Sequence, residues 1–317
     1  MDTIFKPGED FPRTRAELEE WFATEEDCRE FLDDLRWGDG FECPRCGHTE
    51  RWTMADGTSV CTSCEKQTSI TAGTIFERTQ TSLRTWFRAA WLITSQKHGI
   101  SALGLQRVLD VGSYQTAWTM LHRYRRAMIR PGRSKLSEHV EVDETHIRGD
   151  RAAEKHKDKP PGEINEVWVC IGVEITPGEP EMGRIRIEEI PDRSGNSVVG
   201  FVRDNVARMS TVYTDKWSGY NRLTEYLYPH HAMNLNQSPW LATDIMPAVH
   251  RVAALLKRWL LGTHQGGVRE QLQPHLDEFV FRFNRRASAN RGHLFRRLLQ
   301  YAVQTPPATY EDITSDD

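Results

Sequence analysis

Two aspartates stand where strands could bring them together as ligands for metal ions. Residues 139–147, His-Val-Glu-Val-Asp-Glu-Thr-His-Ile, alternate apolar and polar side chains as a strand does, with Asp143 at the middle. Asp215 follows a second strand-like run, residues 210–214. Hard cations such as Mg²⁺ prefer oxygen ligands. Two such ions about 3.5–4 Å apart can serve both ends of a phosphodiester displacement, so the pair predicts metal-dependent phosphodiester chemistry.

Asp143 also has an ordinary structural interpretation, as a charge on an edge strand. Alternation along an ideal strand puts Glu141 and Thr145 on the same face as Asp143. Glu144 points the other way, which favours Asp143 over Glu144 as the metal ligand.

For Asp215 the ordinary interpretation is a turn residue at the end of a strand. Its neighbours Lys216 and Trp217 place a cation and an aromatic ring where a sheet edge could meet a nucleotide. We therefore take Lys216 and Trp217 as candidate DNA contacts.

Four of the six cysteines form two Cys-x-x-Cys pairs with 14 residues between them, Cys43 and Cys46, then Cys61 and Cys64. Such pairs fit a tetrahedral four-thiolate zinc site, and the Asp56-Gly57 turn fits the hairpin of a zinc ribbon. Four thiolates fill the coordination sphere, which makes the zinc structural. Disulfides are the alternative, which the lack of an export signal disfavours.

The charge of the chain is unevenly distributed, although the net charge is only −4. Residues 1–40 carry 13 acidic and 5 basic side chains, a net of −8. Residues 104–135 carry 7 basic and 1 acidic, and residues 257–300 carry 9 basic and 3 acidic, a net of +6 in each case. Local fields attract phosphate, so the two basic stretches predict contact with nucleic acid.

Residues 83–130 have the helical order of a helix-turn-helix. A short helical pattern is followed by a turn with Gly112 and by a longer helix that Ser113 can cap. The longer helix ends in arginines, of which Arg123, Arg125 and Arg126 are candidate DNA contacts. The alternative is a three-helix packing module with a solvated basic end.

The elements that must position the aspartates follow the order strand, strand, strand, helix, strand, with a late helix. The strand-like runs are residues 140–147, 167–175, 184–190 and 210–214. With Asp143 and Asp215 so placed, this order is that of the RNase H-like fold. The predicted fold class is multidomain α+β and α/β, with a zinc ribbon, a helix-turn-helix-like helical module and an RNase H-like mixed sheet flanked by helices.

The chain is predicted to divide into five segments. In order they are an acidic helical cap (1–40), the zinc ribbon (41–72), a helical DNA-binding module (73–132), the RNase H-like catalytic domain (138–304) and a flexible tail (305–317). Residues 148–161 are charged and aperiodic, which predicts an exposed loop. No run approaches the roughly 18 apolar residues of a membrane span, so we expect a cytoplasmic protein without a membrane partner.

In combination these motifs resemble an insertion-sequence transposase, from the family that joins an N-terminal zinc ribbon to an RNase H-like DDE-type catalytic domain. The resemblance covers about residues 43–299. The matching pieces are both cysteine pairs, Val142-Asp143-Glu144-Thr145, Thr214-Asp215-Lys216-Trp217-Ser218-Gly219-Tyr220, His250 to Trp259, Gly262-Thr263-His264 and Phe279 to Arg286.

The resemblance implies that Asp143 and Asp215 are the first two metal ligands and that Mg²⁺ or Mn²⁺ is the catalytic metal. The family pattern expects a third ligand on a helix, often Glu or Asn, with a lysine seven residues later. Here those positions are His250 and Lys257. Imidazole suits softer metals better than Mg²⁺, so His250 departs from the pattern. It could instead shuttle protons, hold a phosphate or serve a structural hydrogen bond.

A late arginine cluster that includes Arg285 and Arg286 could contact transposon-end or target DNA, or could be a solvated surface.

The function predicted by the resemblance is nicking at the ends of the element and strand transfer into target DNA, by a homodimer or larger complex associated with a prokaryotic nucleoid. Two alternatives stay open: a zinc-ribbon DNA-binding regulator with an inactive nuclease-like domain, and a nuclease that cuts without joining.

Overall fold

A computed structural model describes residues 5–130, 132–148, 166–179, 181–233, 246–264 and 271–315. The loop predicted for residues 148–161 lies outside the described residues beyond Arg148. The contacts divide the chain into two units, Met1–Arg130 with Ala287–Asp317, and Pro131–Arg286.

The first unit holds the zinc ribbon and most of the helices. Its helices are α1 (Arg15–Trp21), α2 (Glu25–Trp37), α3 (Leu83–Ser95), α4 (Ala102–Leu109) and α5 (Tyr114–Ala127). Three short antiparallel strands lie between α2 and α3: β1 (Arg51–Thr53), β2 (Ser59–Cys61) and β3 (Gln67–Thr68). Serines begin α3, α4 and α5 because each accepts a hydrogen bond from an amide of the first turn, as Ser113 does from Thr116.

The second unit is built on a mixed sheet of five strands. They are β4 (His139–Arg148), β5 (Glu166–Ile175), β6 (Met182–Ile190), β7 (Thr211–Asp215) and β8 (His230–Met233). In the order β6-β5-β4-β7-β8, the first three strands pair antiparallel, whereas β7 lies parallel to both β4 and β8. This arrangement confirms the predicted fold class. The sequence did not predict β8, a short strand with no fully buried residue.

Helices cover both faces of this sheet. They are α6 (Gly195–Asn205), a 3-10 helix (Ser218–Tyr226), α7 (Pro247–His264) and α8 (Leu272–Phe283). One apolar core joins α7 and α8 to side chains such as Val169 and Ile171 of β5. A second core, on the other face, joins α6 and the 3-10 helix to Val140 and Val142 of β4.

The last helices pack within the first unit, although the catalytic domain was predicted to run to residue 304. They are α9 (Arg291–Ala302) and α10 (Tyr310–Ser315). The ring of Phe295 in α9 lies among Phe22, Phe87 and Trp91, with centroid distances of 5.8–5.9 Å. The apolar face of α9 therefore completes a helical core rather than the sheet. None of the helices that the structure describes is long and apolar enough to cross a membrane.

Candidate active site

The start of helix α7 is fixed to the central strand β4. The carboxylate of Glu141, which is 4% exposed, accepts a hydrogen bond of 2.8 Å from the backbone N–H of Val249. Amides in the first turn of a helix have no partner within the helix, so Glu141 satisfies a donor that would otherwise be buried unpaired. Burial raises the pKa of Glu141, while the amides of Val249 and Ala248 favour its charged form.

Asp143 lies two residues after Glu141 on β4, and His250 directly follows Val249 on α7. The side chains of Asp143 and His250 lie close together. Asp143 Oδ2 lies 3.7 Å from His250 Nδ1. The Asp143 side chain is 22% exposed and that of His250 is 26% exposed, so a small ion or a phosphate can reach both. The pair follows from the strand alternation and from the anchoring of α7 by Glu141.

Lys257 of α7 contacts Thr145, which lies on the same face of β4 as Asp143. Its Nζ donates a hydrogen bond of 2.7 Å to the Thr145 hydroxyl. Since α7 turns once every 3.6 residues, the seven residues from His250 to Lys257 make almost two turns. Both side chains therefore face β4, as their spacing predicted.

Asp215 ends strand β7, directly beside β4. The parallel register pairs Glu141 with Tyr213, and Asp143 and Asp215 each follow that pair by two residues. Asp215 Oδ1 accepts a hydrogen bond of 3.0 Å from the backbone N–H of Trp217, which shapes the turn after the strand. The strand end thus orients this carboxylate beside Asp143.

The charge of Asp215 affects the pKa values of the other two predicted ligands, Asp143 and His250. Burial raises the pKa of Asp143 to about 7, and the charges of Glu144 and Asp215 add to the rise. Burial also lowers the pKa of His250, against the opposing charge of Asp215. Two neighbouring carboxylates repel each other, and a cation between them would relieve that repulsion.

The donor set fits a divalent cation. Asp143 and Asp215 supply oxygen, and the neutral imidazole that burial favours at His250 supplies nitrogen. His250 Nδ1 faces Asp143, while Nε2 is buried and has no hydrogen-bond partner among the described residues. These three side chains are spaced too widely to place every ligand atom within 4.8 Å of the others.

Glu144 lies on the opposite face of β4, as the alternation predicted. Its side chain is 1% exposed and accepts hydrogen bonds from Arg193 and, at 2.5 Å, from the hydroxyl of Tyr220. The guanidinium of Arg193 also lies 4.8 Å from the centre of the Trp217 ring. Trp217 is therefore part of the packing that holds the turn after Asp215. Sequence reasoning missed Arg193 and Tyr220, because nothing in their spacing links them to Glu144.

The four paired cysteines converge as a second metal centre. Among the described residues they are the set whose ligand atoms all lie within 4.8 Å of one another. The Sγ distances are 3.6 Å for Cys43–Cys64 and 3.7 Å for Cys46–Cys61. A tetrahedral zinc with Zn–S bonds of about 2.3 Å requires about 3.8 Å between sulfurs. The four-cysteine site therefore supports zinc.

Backbone amides prepare this site for a metal. Burial opposes ionisation of Cys43, but hydrogen bonds from the amides of Arg45 and Cys46 prevail and lower the pKa of Cys43 to about 6. Helix α2 contributes as well, because Asp33 pairs with Arg51 of β1 and the Arg51 guanidinium lies 4.4 Å from the Trp37 ring centre.

Two of the arginines predicted to contact DNA are used inside the first unit. Arg125 is 2% exposed and shares a hydrogen bond of 3.0 Å with His122. Arg123 donates to the backbone carbonyls of Ala308 and Ile75, at 2.7 and 3.0 Å. Protein groups hold the guanidinium groups of Arg123 and Arg125 in this conformation, and DNA contact by these two arginines stays a prediction. Arg126 is exposed and remains a candidate.

The remaining basic candidates lie in the second unit. Lys216 is exposed beside Asp215. Arg286 donates to the carbonyls of Met182 and Gly183, and Arg285 stacks 4.1 Å from the Phe281 ring centre. Lys216 therefore stays a candidate DNA contact, while Arg285 and Arg286 have evident roles in packing.

Two family models match separate parts of the chain. Residues 135–284 match the ISXO2-like transposase domain, and residues 23–67 match the transposase zinc-ribbon domain. The second match includes helix α2, in agreement with its contacts to the ribbon. A relative in Halobacterium salinarum, described as an uncharacterized protein in transposable element ISH50, is 25% identical over 278 residues, which are 82% of this chain and 91% of the relative.

Proposed function

We propose that the chain is an insertion-sequence transposase that joins a zinc ribbon to a DDE-type domain, and that it nicks DNA at the ends of its element and joins the freed ends to target DNA. The observation that carries the proposal is that helix α7 brings His250 to Asp143 and Lys257 to Thr145 on one face of β4, beside the strand that ends at Asp215. Such a cluster has the donors that phosphodiester chemistry requires.

Asp143, Asp215 and His250 would hold Mg²⁺ or Mn²⁺. When bound, such ions activate the attacking oxygen and stabilise the leaving oxygen of an in-line displacement. Glu141 fixes the first turn of α7, and this places the imidazole of His250 beside Asp143. The aspartates and the histidine thus form a preorganised set before DNA arrives.

Lys257 would bind a phosphate oxygen next to the bond that breaks. A lysine ammonium has three N–H donors, and Lys257 donates one of them to the Thr145 hydroxyl. In nicking, water forms a bond to phosphorus and the 3′ oxygen leaves. In joining, that 3′ hydroxyl attacks a target phosphodiester and displaces a 3′ oxygen there, so the number of phosphoester bonds is conserved.

The first unit would bind the terminal repeats of the element. Its zinc ribbon and the helices α4 and α5 have the order of known DNA-binding modules, and Arg126 is exposed on α5. Both ends of an element must be cut and joined together, so a dimer or a larger complex on the nucleoid is the proposed working form.

One assay tests the proposal. The purified full chain is mixed with labelled terminal-repeat duplex, unlabelled target plasmid and Mg²⁺ or Mn²⁺, with Asp143→Asn as the control. Joined products that need the metal and disappear in the control support the proposal. Metal-independent binding alone would favour a DNA-binding regulator, and cleavage without joining would favour a nuclease. Either of these results would overturn the proposal.

A further inference from the structure

Helix α7 has one exposed face that carries cations and no anion. Its exposed residues are Arg251, Ala254, Lys257, Arg258, Leu261 and Gly262. At 100° per residue they share an arc of about 140°. No aspartate or glutamate occurs in Pro247–His264, so no acid of this helix offsets these charges. We call this arc the α7 ridge.

The two arginines of the ridge, Arg251 and Arg258, are exposed. Among the described residues, neither Arg251 nor Arg258 has a hydrogen-bond or ion-pair partner. Other arginines of the same unit are bound, as Arg184 is to Glu174 and Arg193 to Glu144. An exposed guanidinium has five donors that match phosphate geometry, so these two arginines are available to an anionic partner.

The position of the ridge relates it to the candidate active site. Arg251 directly follows His250, and Arg258 directly follows Lys257. Arg251 and Arg258 are seven residues apart, which puts them on one side of the helix and about 10 Å apart along its axis. The small side chain of Ala254 lies between them, so a nucleic-acid backbone can approach the helix closely.

We propose that Arg251 and Arg258 bind two phosphates of a DNA strand that runs along the α7 ridge past Asp143. This inference rests on the proposed function, since it names the surface that would hold the strand being cut. Guanidinium groups at these two positions would fix the register of the strand without reading its bases. Lys257, between them along the helix, would bind a phosphate nearer the reacting bond.

The salt dependence of DNA binding tests this surface. Each phosphate contact contributes about 0.9 to the slope of log Kobs against log salt concentration for duplex DNA. The full chain and Arg251→Gln/Arg258→Gln are titrated with a fluorescent terminal-repeat duplex without added Mg²⁺ or Mn²⁺. The slope of the double variant is expected to be smaller in magnitude by about 1.8. Arg251→Lys/Arg258→Lys, which keeps both charges, should keep most of the slope.

Arg208→Gln is the matched control. Arg208 is exposed in the turn before β7, at the opposite end of that strand from Asp215. Its replacement should leave the salt slope unchanged. The inference is overturned if the double variant has the wild-type slope and thermal unfolding shows that it is folded. This holds even if the wild-type chain joins DNA. If the wild-type chain fails to join DNA but the double variant has the smaller salt slope, the proposed function is overturned and phosphate binding by the α7 ridge is supported.

Discussion

The Nδ1 atom of His250 lies 3.7 Å from Oδ2 of Asp143, where helix α7 passes strand β4. The contact follows from the buried Glu141 carboxylate, two residues earlier on the strand, which holds the amide of Val249. An imidazole therefore lies beside Asp143 at the position where the resemblance led us to expect a carboxylate or an amide. The Nδ1 atom faces the Asp143 carboxylate, and Nε2 is buried without a hydrogen-bond partner in the part of the chain that the structure describes.

Replacement of Glu141 should impair DNA joining through the position of α7. Glu141→Leu leaves the Val249 amide without its acceptor, which costs about 1–3 kcal/mol of unfolding free energy. It also releases His250 from Asp143, so we expect joining to fall by more than this loss of stability explains. Glu141→Gln keeps an acceptor oxygen and should recover most of the joining rate. Equal loss in the two variants, measured beside denaturant unfolding, would refute this role.

Lys257 and Thr145 should act as one unit. Thr145→Val removes the hydroxyl that accepts the 2.7 Å hydrogen bond from Lys257, and we expect joining to fall about tenfold, the value of a hydrogen bond to a charged group. Lys257→Gln should cost more, because the phosphate contact is lost as well. In a double-mutant cycle, Thr145→Val should cost little once Lys257 is replaced. Fully additive losses would show that the two side chains act separately.

Asp277 should make the second unit less stable as pH rises. Burial raises its pKa from 3.8 to about 7, against the hydrogen bond from Gln273 and the charge of Arg133, while the charge of Glu188 adds to the rise. Between these pH values the folded state holds a proton that the unfolded state has lost, so the free energy of unfolding falls with pH. Asp277→Asn should remove this fall and raise stability above pH 7, on the order of 1–4 kcal/mol.

Denaturant unfolding from pH 4 to pH 8 measures this effect. The exposed Asp204 provides a matched control, because Asp204→Asn removes the same charge without burial. A wild-type stability that rises between pH 4 and 7 relative to Asp277→Asn would contradict the assignment.

Loss of zinc should unfold the ribbon and abolish binding to the terminal repeats. Cys61→Ser removes one of the four thiolates, and metal analysis should find that zinc falls from one ion per chain towards none. Cys170→Ala keeps all four ribbon cysteines and should keep the zinc. A Cys61→Ser chain that retains both zinc and terminal-repeat binding would show that the four thiolates do not form the site.

Local patterns predicted much of the site, because they depend on near neighbours in the chain. Alternation separated Asp143 from Glu144, and the seven-residue spacing put His250 and Lys257 on one face. Tertiary contacts were beyond such reasoning. Arg123 looked like part of a basic surface, but carbonyls from distant segments such as Ala308 bind its guanidinium.

Two further differences have the same cause. The strand His230–Met233 lacks the apolar run that identifies a buried strand, and its pairing with β7 defines it. The helix Arg291–Ala302 has an apolar face that fits a sheet or a helical core equally well, and Phe295 shows that it joins the helical core. Neither the pairing of His230–Met233 with β7 nor the packing of Arg291–Ala302 in the helical core follows from a local sequence pattern.

Mn²⁺ binding measured by electron paramagnetic resonance tests the central claim most directly. The full chain is titrated with Mn²⁺ beside Asp143→Asn, Asp215→Asn and His250→Phe, with zinc retained in the ribbon, whose thiolates disfavour the harder Mn²⁺. If the three side chains hold the same ions, each substitution should weaken Mn²⁺ binding by at least about tenfold. Wild-type Mn²⁺ affinity in all three folded variants would contradict the account.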